Sequence, residues 1–244
     1  MPTMTPLIVI PARMGSVRLP HKPLALIQGI PMILQVWRQA CKAQLGPVVV
    51  ACDHEDIAHI IQAEGGNVVL TEGQHPTGSD RAFEAAQRWD PEGYHDIVFN
   101  LQGDLPVFPS QVLAKLIPPF ARKETDLVTL MQPAKGFEDS VGSVQVLVDP
   151  FPESYGFICR NFTRKKENAV YQHVGIYAFR RASLARFAAL PQTEHERAES
   201  LEQLRALDHN MSVVSVLLEG EETFMSVDTA QDLEAVCHYF ERLS

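Results

Sequence analysis

The sequence predicts an α/β fold, with a mostly parallel sheet, helices on both faces and an inserted antiparallel β-rich region. Three observations carry that expectation. Short, largely apolar runs at Leu7–Ile10, Pro47–Cys52 and Ile97–Leu101 alternate with helical patterns, as buried parallel strands do. Four strand-like runs then lie close together between Asp126 and Phe179, which suggests antiparallel pairing. An apolar run at Ser212–Leu218 and a helical pattern at Thr229–Leu243 return the chain to the first arrangement.

The elements follow in order. Leu7–Ile10 is a buried first strand, and it runs into the loop Pro11–Leu24, which holds Arg13, Arg18 and Lys22 around Gly15 and leads to a helix. Backbone N–H groups and cations in such a loop suit a polyphosphate. The loop is neither G-x-x-x-x-G-K-[ST] nor G-x-G-x-x-G, which excludes a P-loop and argues against the usual dinucleotide fold. A solvated basic loop remains the plain alternative. Asp53-His54-Glu55-Asp56 opens a helix carrying Ile57, Ala58, Ile60 and Ile61. Gly65-Gly66 precede a third strand, Asn67–Leu70. Thr77-Gly78-Ser79-Asp80-Arg81 reads as a turn, with Ser79 capping the next helix. The fourth strand ends at Gln102-Gly103-Asp104. Ligands of parallel sheets sit at the carboxyl ends of the strands, so Arg13, Gly78 and Asp104 should converge there. The later strands read as Asp126–Met131, Ser143–Val148, Tyr155–Arg160 and Gln172–Phe179, followed by helices at Ala182–Leu190 and Arg197–Leu207. Asp228 or Thr229 stands near the cap of the last helix.

Composition narrows the function. The net charge of −9 disfavours nucleic acid or an acidic membrane surface as a partner. No apolar run approaches the roughly 20 residues of a membrane span. Met1–Pro6 shows no secretory pattern, and Cys41, Cys52, Cys159 and Cys237 are scattered without a C-x-x-C pair. The expectation is a cytoplasmic protein without a zinc site. Asp104 and Asp228, each at a strand end, can together hold one Mg²⁺ along with phosphate oxygens. Singly, Asp104 could be a turn residue, Asp228 a helix cap and Arg81 a surface helix residue.

Ordered motifs run nearly the length of the chain. They are Ile10-Pro11-Ala12-Arg13 through Leu24, Gly29-Ile30-Pro31-Met32-Ile33, Ala51-Cys52-Asp53-His54-Glu55, Thr77-Gly78-Ser79-Asp80-Arg81 and Asn100-Leu101-Gln102-Gly103-Asp104-Leu105-Pro106. His173-Val174-Gly175-Ile176-Tyr177, Leu201-Glu202-Gln203-Leu204-Arg205 and Val227-Asp228-Thr229-Ala230-Gln231-Asp232-Leu233 complete the set. As a set they resemble the bacterial 3-deoxy-manno-octulosonate (Kdo) cytidylyltransferase family. That resemblance implies a Mg²⁺-dependent transferase in which the anomeric hydroxyl of Kdo attacks the α-phosphorus of CTP and pyrophosphate leaves, for lipopolysaccharide assembly. It implies that Arg13, Arg18 and Lys22 bind the triphosphate, while Ala12, Thr77, Gly78, Ser79, Arg81 and Gln102 help hold the cytidine. Asp104 and Asp228 would hold the metal and, with Arg13 and Lys22, form the catalytic set. Arg160, His173, Tyr177, Glu202 and Gln203 would line the sugar-acid pocket.

With no internal repeat, low-complexity tract or clean linker, the sequence predicts one domain, 1–244, with a mainly nucleotide-binding part (1–125), a mainly sugar-binding and dimerisation part (126–210) and a return to the main sheet (211–244). By the resemblance, the fold would be Rossmann-like and the assembly a homodimer. The chain departs from the family pattern at four places: Gln145 stands for a usual Lys, Ile158-Cys159 precedes Arg160 in place of Phe-Ser, Asn161-Phe162-Thr163-Arg164-Lys165-Lys166 follows it in place of a short Pro-containing segment, and His21 stands for a usual Gly. Arg164, Lys165 or Lys166 is a candidate to restore the charge missing at Gln145. Transfer to an amino-substituted Kdo or a sialic-type acid is the alternative within the enzyme class. A nucleotide-binding homologue without catalysis is the alternative outside it.

Overall fold

The computed structural model describes residues 4–72, 74–134, 143–150, 156–165, 170–220 and 222–243. Strands follow the chain as β1 (Pro6–Ala12), β2 (Leu26–Ile27), β3 (Ile30–Pro31), β4 (Val48–Cys52), β5 (Asn67–Leu70), β6 (Ile97–Leu101), β7 (Leu127–Pro133), β8 (Gln145–Pro150), β9 (Phe157–Thr163), β10 (Tyr171–Arg180) and β11 (Val213–Leu217). Helices are α1 (Met32–Cys41), α2 (Glu55–Ala63), α3 (Gly78–Trp89), α4 (Arg181–Ala189), α5 (Glu194–Glu199), α6 (Gln203–Asp208) and α7 (Ala230–Glu241). None of them is long and apolar enough to cross a membrane.

The apolar runs of the first half form the expected parallel sheet. β5, β4, β1 and β6 lie side by side in that order, all parallel. Every residue of β1, β4 and β6 is buried, which is why these strands read as continuous apolar runs. Alternate residues feed two cores. Ile8, Ile10, Val50 and Phe99 pack on one face with Ile33 and Val36 of α1 and Ile57 of α2. Leu7, Val9, Val49 and Val98 pack on the other with Ala82 of α3, Phe187 of α4 and Leu204 of α6.

The second half corrects two expectations. The sheet is mixed rather than mostly parallel, because β10 runs antiparallel to both β6 and β7, and β9 antiparallel to β11 and β8. The antiparallel pairing expected after Asp126 is present, but its strands belong to the main sheet rather than to a separate region. Among the described residues, they extend one nine-stranded sheet in the order β5-β4-β1-β6-β10-β7-β11-β9-β8. No helix lies between β7 and β10 among the described residues, and a strand that returns without a crossover helix lies antiparallel. Tyr155, expected to begin a strand, lies outside the described residues.

Local differences have local causes. Thr77, not Ser79, caps α3: its hydroxyl accepts from Asp80 N, and Gly78 and Ser79 are already helical. The expected helix over Arg197–Leu207 is broken by Ser200, which is left-handed at φ 54° and ends α5. The loop after β1 meets a hairpin, β2–β3, before α1, and Gly29 (φ 77°) turns it.

One buried carboxylate makes the fold sensitive to acid. Asp90 is 4% exposed at the end of α3. Its oxygens accept from Tyr94 N at 3.0 Å, His95 N at 2.9 Å and Arg181 Nη1 at 2.9 Å, and meet His95 Nδ1 at 3.0 Å. Burial alone would raise its pKa, but these donors outweigh it and hold the carboxyl at about 2, against an ordinary 3.8. A depressed folded value means the stabilisation is present above the ordinary value of 3.8 and fades as pH falls toward 2. Asp90→Asn should therefore lower Tm at pH 5 and lower it much less near pH 2. Melting curves across that range check this, and an equal gap at both ends would clear the carboxylate of the effect.

Candidate active site

Parallel neighbours end on the same side, so the loops after β1, β4 and β6 share one rim. Two details bind the rim together. Met14 N donates to Asp53 Oδ1 at 2.9 Å, which ties the cationic loop to the end of β4. A Cβ on Gly103 would lie 2.6 Å from Pro11 O, so the loops after β1 and β6 touch at a place only glycine fits. Asp104 follows directly. The segment before α7 pairs beside it, with Met225 N donating to Val107 O at 3.0 Å and Val227 N to Asp104 O at 2.8 Å. Asp228 is thereby brought opposite Asp104.

The helix-cap alternative for Asp228 falls to Thr229, whose hydroxyl accepts from Asp232 N in a capping box. The Asp228 carboxylate is left to face the cations. Lys22 Nζ donates to Asp104 Oδ2 at 2.6 Å and to Asp228 Oδ1 at 3.1 Å, and Arg18 Nη2 lies 3.0 Å from the same Asp228 oxygen. Lys22 opens a 3₁₀ turn, Lys22–Leu24, entered through His21 at φ 54°. That left-handed backbone is one that glycine adopts most readily. Arg13 and Arg18 are exposed beside it. No cluster of three or more His, Cys, Asp or Glu forms a metal cage among the described residues. Two hard carboxylate oxygens converging on one cation nevertheless fit Mg²⁺, which takes few protein carboxylates and completes its shell with water and phosphate.

The Gly78 turn stands on the same rim. A Cβ at Gly78 would lie 3.1 Å from the Gln102 amide group and 3.4 Å from Pro11, so the turn, Gln102 and the residues beside Ala12 form one wall. Glu202 ties that wall. It accepts from Ser79 N at 2.9 Å, Asn100 Nδ2 at 3.3 Å and Gln102 Nε2 at 3.2 Å. Desolvation pushes the Glu202 carboxyl up from its ordinary value, and the bonds from Ser79 and Thr77 restrain the rise. With Nε2 shared between Glu202 and Asn100 Oδ1, Gln102 keeps its Oε1 for a ligand.

Behind the turn, Arg205 is 1% exposed and grips two carboxylates, each through both oxygens. Asp80 receives Nη1 at 2.9 Å and Nη2 at 3.1 Å, and Glu196 receives Nε at 2.9 Å and Nη2 at 2.7 Å. Asp80 in turn accepts from Thr77 Oγ1 at 2.8 Å, so the triad fixes the first turn of α3.

Arg81, expected beside the cytidine, does not join the wall of the Gly78 turn. It is 4% exposed, donates to Thr71 Oγ1 and lies 3.6 Å from Asp53, because its face of α3 packs on the ends of β5 and β4.

The expected sugar residues divide. A cleft of about 190 Å³ adjoins Asp104 and is lined by Gln102, Gln132, Gln172 and His173. Gln132 Nε2 donates to Gln172 Oε1 at 3.1 Å. A bulge after Val174 in β10 shapes this wall, and Thr129 Oγ1 lies 2.9 Å from Ile176 O and 2.9 Å from His173 Nε2. With its one proton on a carbonyl, Thr129 accepts from His173 Nε2–H, and that tautomer leaves Nδ1 an acceptor. Burial, aided by the Arg164 guanidinium, lowers His173 to about 3, so the ring is neutral near pH 7.

Tyr177 and Gln203 bond each other at 3.0 Å within the core beneath this wall, and burial pushes the Tyr177 phenol well up. Arg160 is not brought to the cleft. Leu147 lies opposite Asn161 and Val148 opposite Cys159, so Arg160 is the extra residue of a bulge and turns outward to Asp149 at 2.6 Å. Lys166, a candidate cation after Arg160, lies outside the described residues.

Gln132 and Thr129 went unnoticed in the sequence, and Asn100 stood there only as part of a motif, with no role of its own. Each is a polar residue inside an apolar strand, buried to 6%, 0% and 0% exposure, and that mismatch is the signal that could have flagged them.

The chain is similar to known proteins over most of its length. A family model described as cytidylyltransferase matches residues 7–214. A 3-deoxy-manno-octulosonate cytidylyltransferase of Methylorubrum extorquens strain PA1 is 44% identical over 236 residues, covering 94% of each chain. Its counterpart in Paramagnetospirillum magneticum is 42% identical over 240 residues, covering 96% of this chain and 97% of the relative. A solved CMP:2-keto-3-deoxy-manno-octonic acid synthetase complexed with CTP superposes with a TM-score of 0.86 at 31% identity, covering 98% of this chain and 99% of the other.

Proposed function

The chain belongs to the cytidylyltransferase family, and from that premise we propose that it joins CMP from CTP to the anomeric hydroxyl of 3-deoxy-manno-octulosonate, releasing pyrophosphate. The observation that carries the reading is the meeting of Lys22, Asp104 and Asp228 between the Gly78 wall and the cleft at His173. The parallel half then serves as a Rossmann-like seat for the nucleotide.

Each part has a task that its chemistry suits. Arg13, Arg18 and Lys22 bind the triphosphate by charge-assisted hydrogen bonds. The Gly78 turn, Ala12 and Gln102 hold the cytidine, which offers a donor amine and ring acceptors to backbone and amide groups. Gln132, Gln172 and His173 orient a sugar rich in hydroxyls through neutral donors and acceptors. Asp104 and Asp228 hold Mg²⁺. When bound, the ion neutralises charge on the phosphates in the transition state. The reaction needs little covalent work from the protein, so holding the sugar hydroxyl in line with the α-phosphorus is the larger part of catalysis. We place the enzyme in the cytoplasm as a homodimer that feeds lipopolysaccharide assembly.

Pyrophosphate release from CTP, measured with Kdo, amino-substituted Kdo and a sialic acid, tests the assignment. Release with Kdo alone, or far faster with Kdo, is the expected result. Release only with another acid would move the substrate, and none with any acid would leave a nucleotide-binding protein.

A second result follows from the cationic loop. Arg18→Ala and Lys22→Ala should each lower kcat/KM by about tenfold to a hundredfold, the equivalent of one charge-assisted bond to phosphate. The loss should be the same with every acceptor, because CTP is common to all. Steady-state kinetics in which both variants matched the wild type would return the loop to a solvated surface.

A further inference from the structure

Lys22 has a second role that its place between two carboxylates suggests. Its ammonium lies 2.6 Å from Asp104 and 3.1 Å from Asp228, at the point where those carboxylates converge. Arg18 adds a second cation at 3.0 Å from Asp228. Two carboxylates and two cations make a cluster with no formal charge. A divalent cation approaching it alone would have to displace a charge-assisted pair and gain little. A triphosphate changes the balance, because its oxygens are better partners for Lys22 and Arg18 than two shared carboxylates.

We propose that Lys22 is the resident cation of the Asp104–Asp228 pair in the free protein, and that nucleotide opens the pair to a divalent cation by drawing Lys22 and Arg18 onto its phosphates. The proposal rests on the reading of Asp104 and Asp228 as metal ligands. It makes metal and nucleotide binding cooperative, and by linkage each strengthens the other by the same factor. Lys22 thereby acts as a positioning residue before it touches phosphate, keeping the two acids together and the metal site closed until CTP arrives. The half-buried Lys22 makes the stronger contribution, and Arg18, two-thirds exposed, the weaker.

Binding of Mn²⁺ to the free protein, followed by the paramagnetic resonance of the unbound ion, tests this without catalysis. Wild type should bind Mn²⁺ weakly, and saturating CTP should tighten it strongly. Lys22→Met should bind Mn²⁺ about tenfold tighter than wild type in the absence of CTP, the loss of one charge-assisted competitor. CTP should then add less to its affinity than it adds for wild type. Arg18→Met, at an exposed position that should not disturb folding, should shift in the same direction by a smaller factor.

Tighter metal binding beside the slower catalysis expected of the Lys22 and Arg18 variants has a sign that mere damage to the site would not produce. Unchanged or weaker Mn²⁺ binding in both variants would overturn the proposal. If the tighter binding in Lys22→Met survives Asp104→Asn and Asp228→Asn, the ion sits elsewhere, and the assignment of the metal ligands fails along with it.

Discussion

Asp104→Asn and Asp228→Asn should each slow turnover by roughly a hundredfold to a thousandfold, the loss of several kcal/mol of charge stabilisation at the phosphates. The argument is electrostatic. Each substitution removes one of two anionic oxygens that converge on a single cation, and an amide oxygen is a poor replacement toward a hard ion. Folding should survive, since both side chains are partly exposed and neither carries a core residue. The bond from Val227 N to the Asp104 carbonyl also remains in either variant. Initial rates of pyrophosphate release across a Mg²⁺ titration, with melting temperatures alongside, make the measurement. A variant that reaches the wild-type rate at limiting Mg²⁺ would show that its carboxylate is not a ligand.

Arg205→Met should cost about 3–5 kcal/mol of stability, the cost of removing one partner from a buried ion pair. For a chain of this size that corresponds to a fall in Tm on the order of 10 °C. The reason lies in what stays behind. Asp80 and Glu196, 8% and 2% exposed, each lose both of their bonds to the guanidinium. The stacking of Arg205 over Phe187 at 4.3 Å is lost too, although Met refills part of that volume. Because Asp80 holds the Thr77 cap, the surviving enzyme should also show a raised KM for CTP. Thermal melts and CTP kinetics at a temperature where the variant is folded check both. A fall in Tm of only a degree or two would mean that the two acids find other partners.

The sequence was most legible where burial is complete. β1, β4 and β6 are buried at every residue, so their apolar runs gave their boundaries to within a residue or two. β5 was readable because Gly65-Gly66 mark its start. Asp104 was legible locally, because a glycine beside a carboxylate at a strand end stands out. Pro11 to Lys22 stood out by its cations, and Asp228 only as part of the ordered motif Val227–Leu233. Legibility failed for the place of β10 beside β6, for the break at Ser200 and for the 3₁₀ turns Ser110–Leu116 and Pro118–Ala121. Arg160 was misplaced because a bulge is a property of two strands, and one strand's sequence does not state which residue is extra.

The sequence by itself determined the alternation of elements, the position of the glycine turns and the identity of the charged groups available for chemistry. These follow from short-range physics: the period of apolar residues, backbone freedom at glycine and the charge of side chains. Only the tertiary structure decided which charges meet. Lys22 lies 82 residues from Asp104 and 206 from Asp228, and no local pattern encodes their convergence on one ammonium. It also decided which cations serve the rim and which serve the core. Arg18 and Arg81 look alike in sequence, yet the loop leaves Arg18 exposed while the packing of α3 on the strand ends buries Arg81. The physical reason is that a charge takes its role from its solvation and its partners, and both are set by the sheet order that brings distant strand ends to one rim.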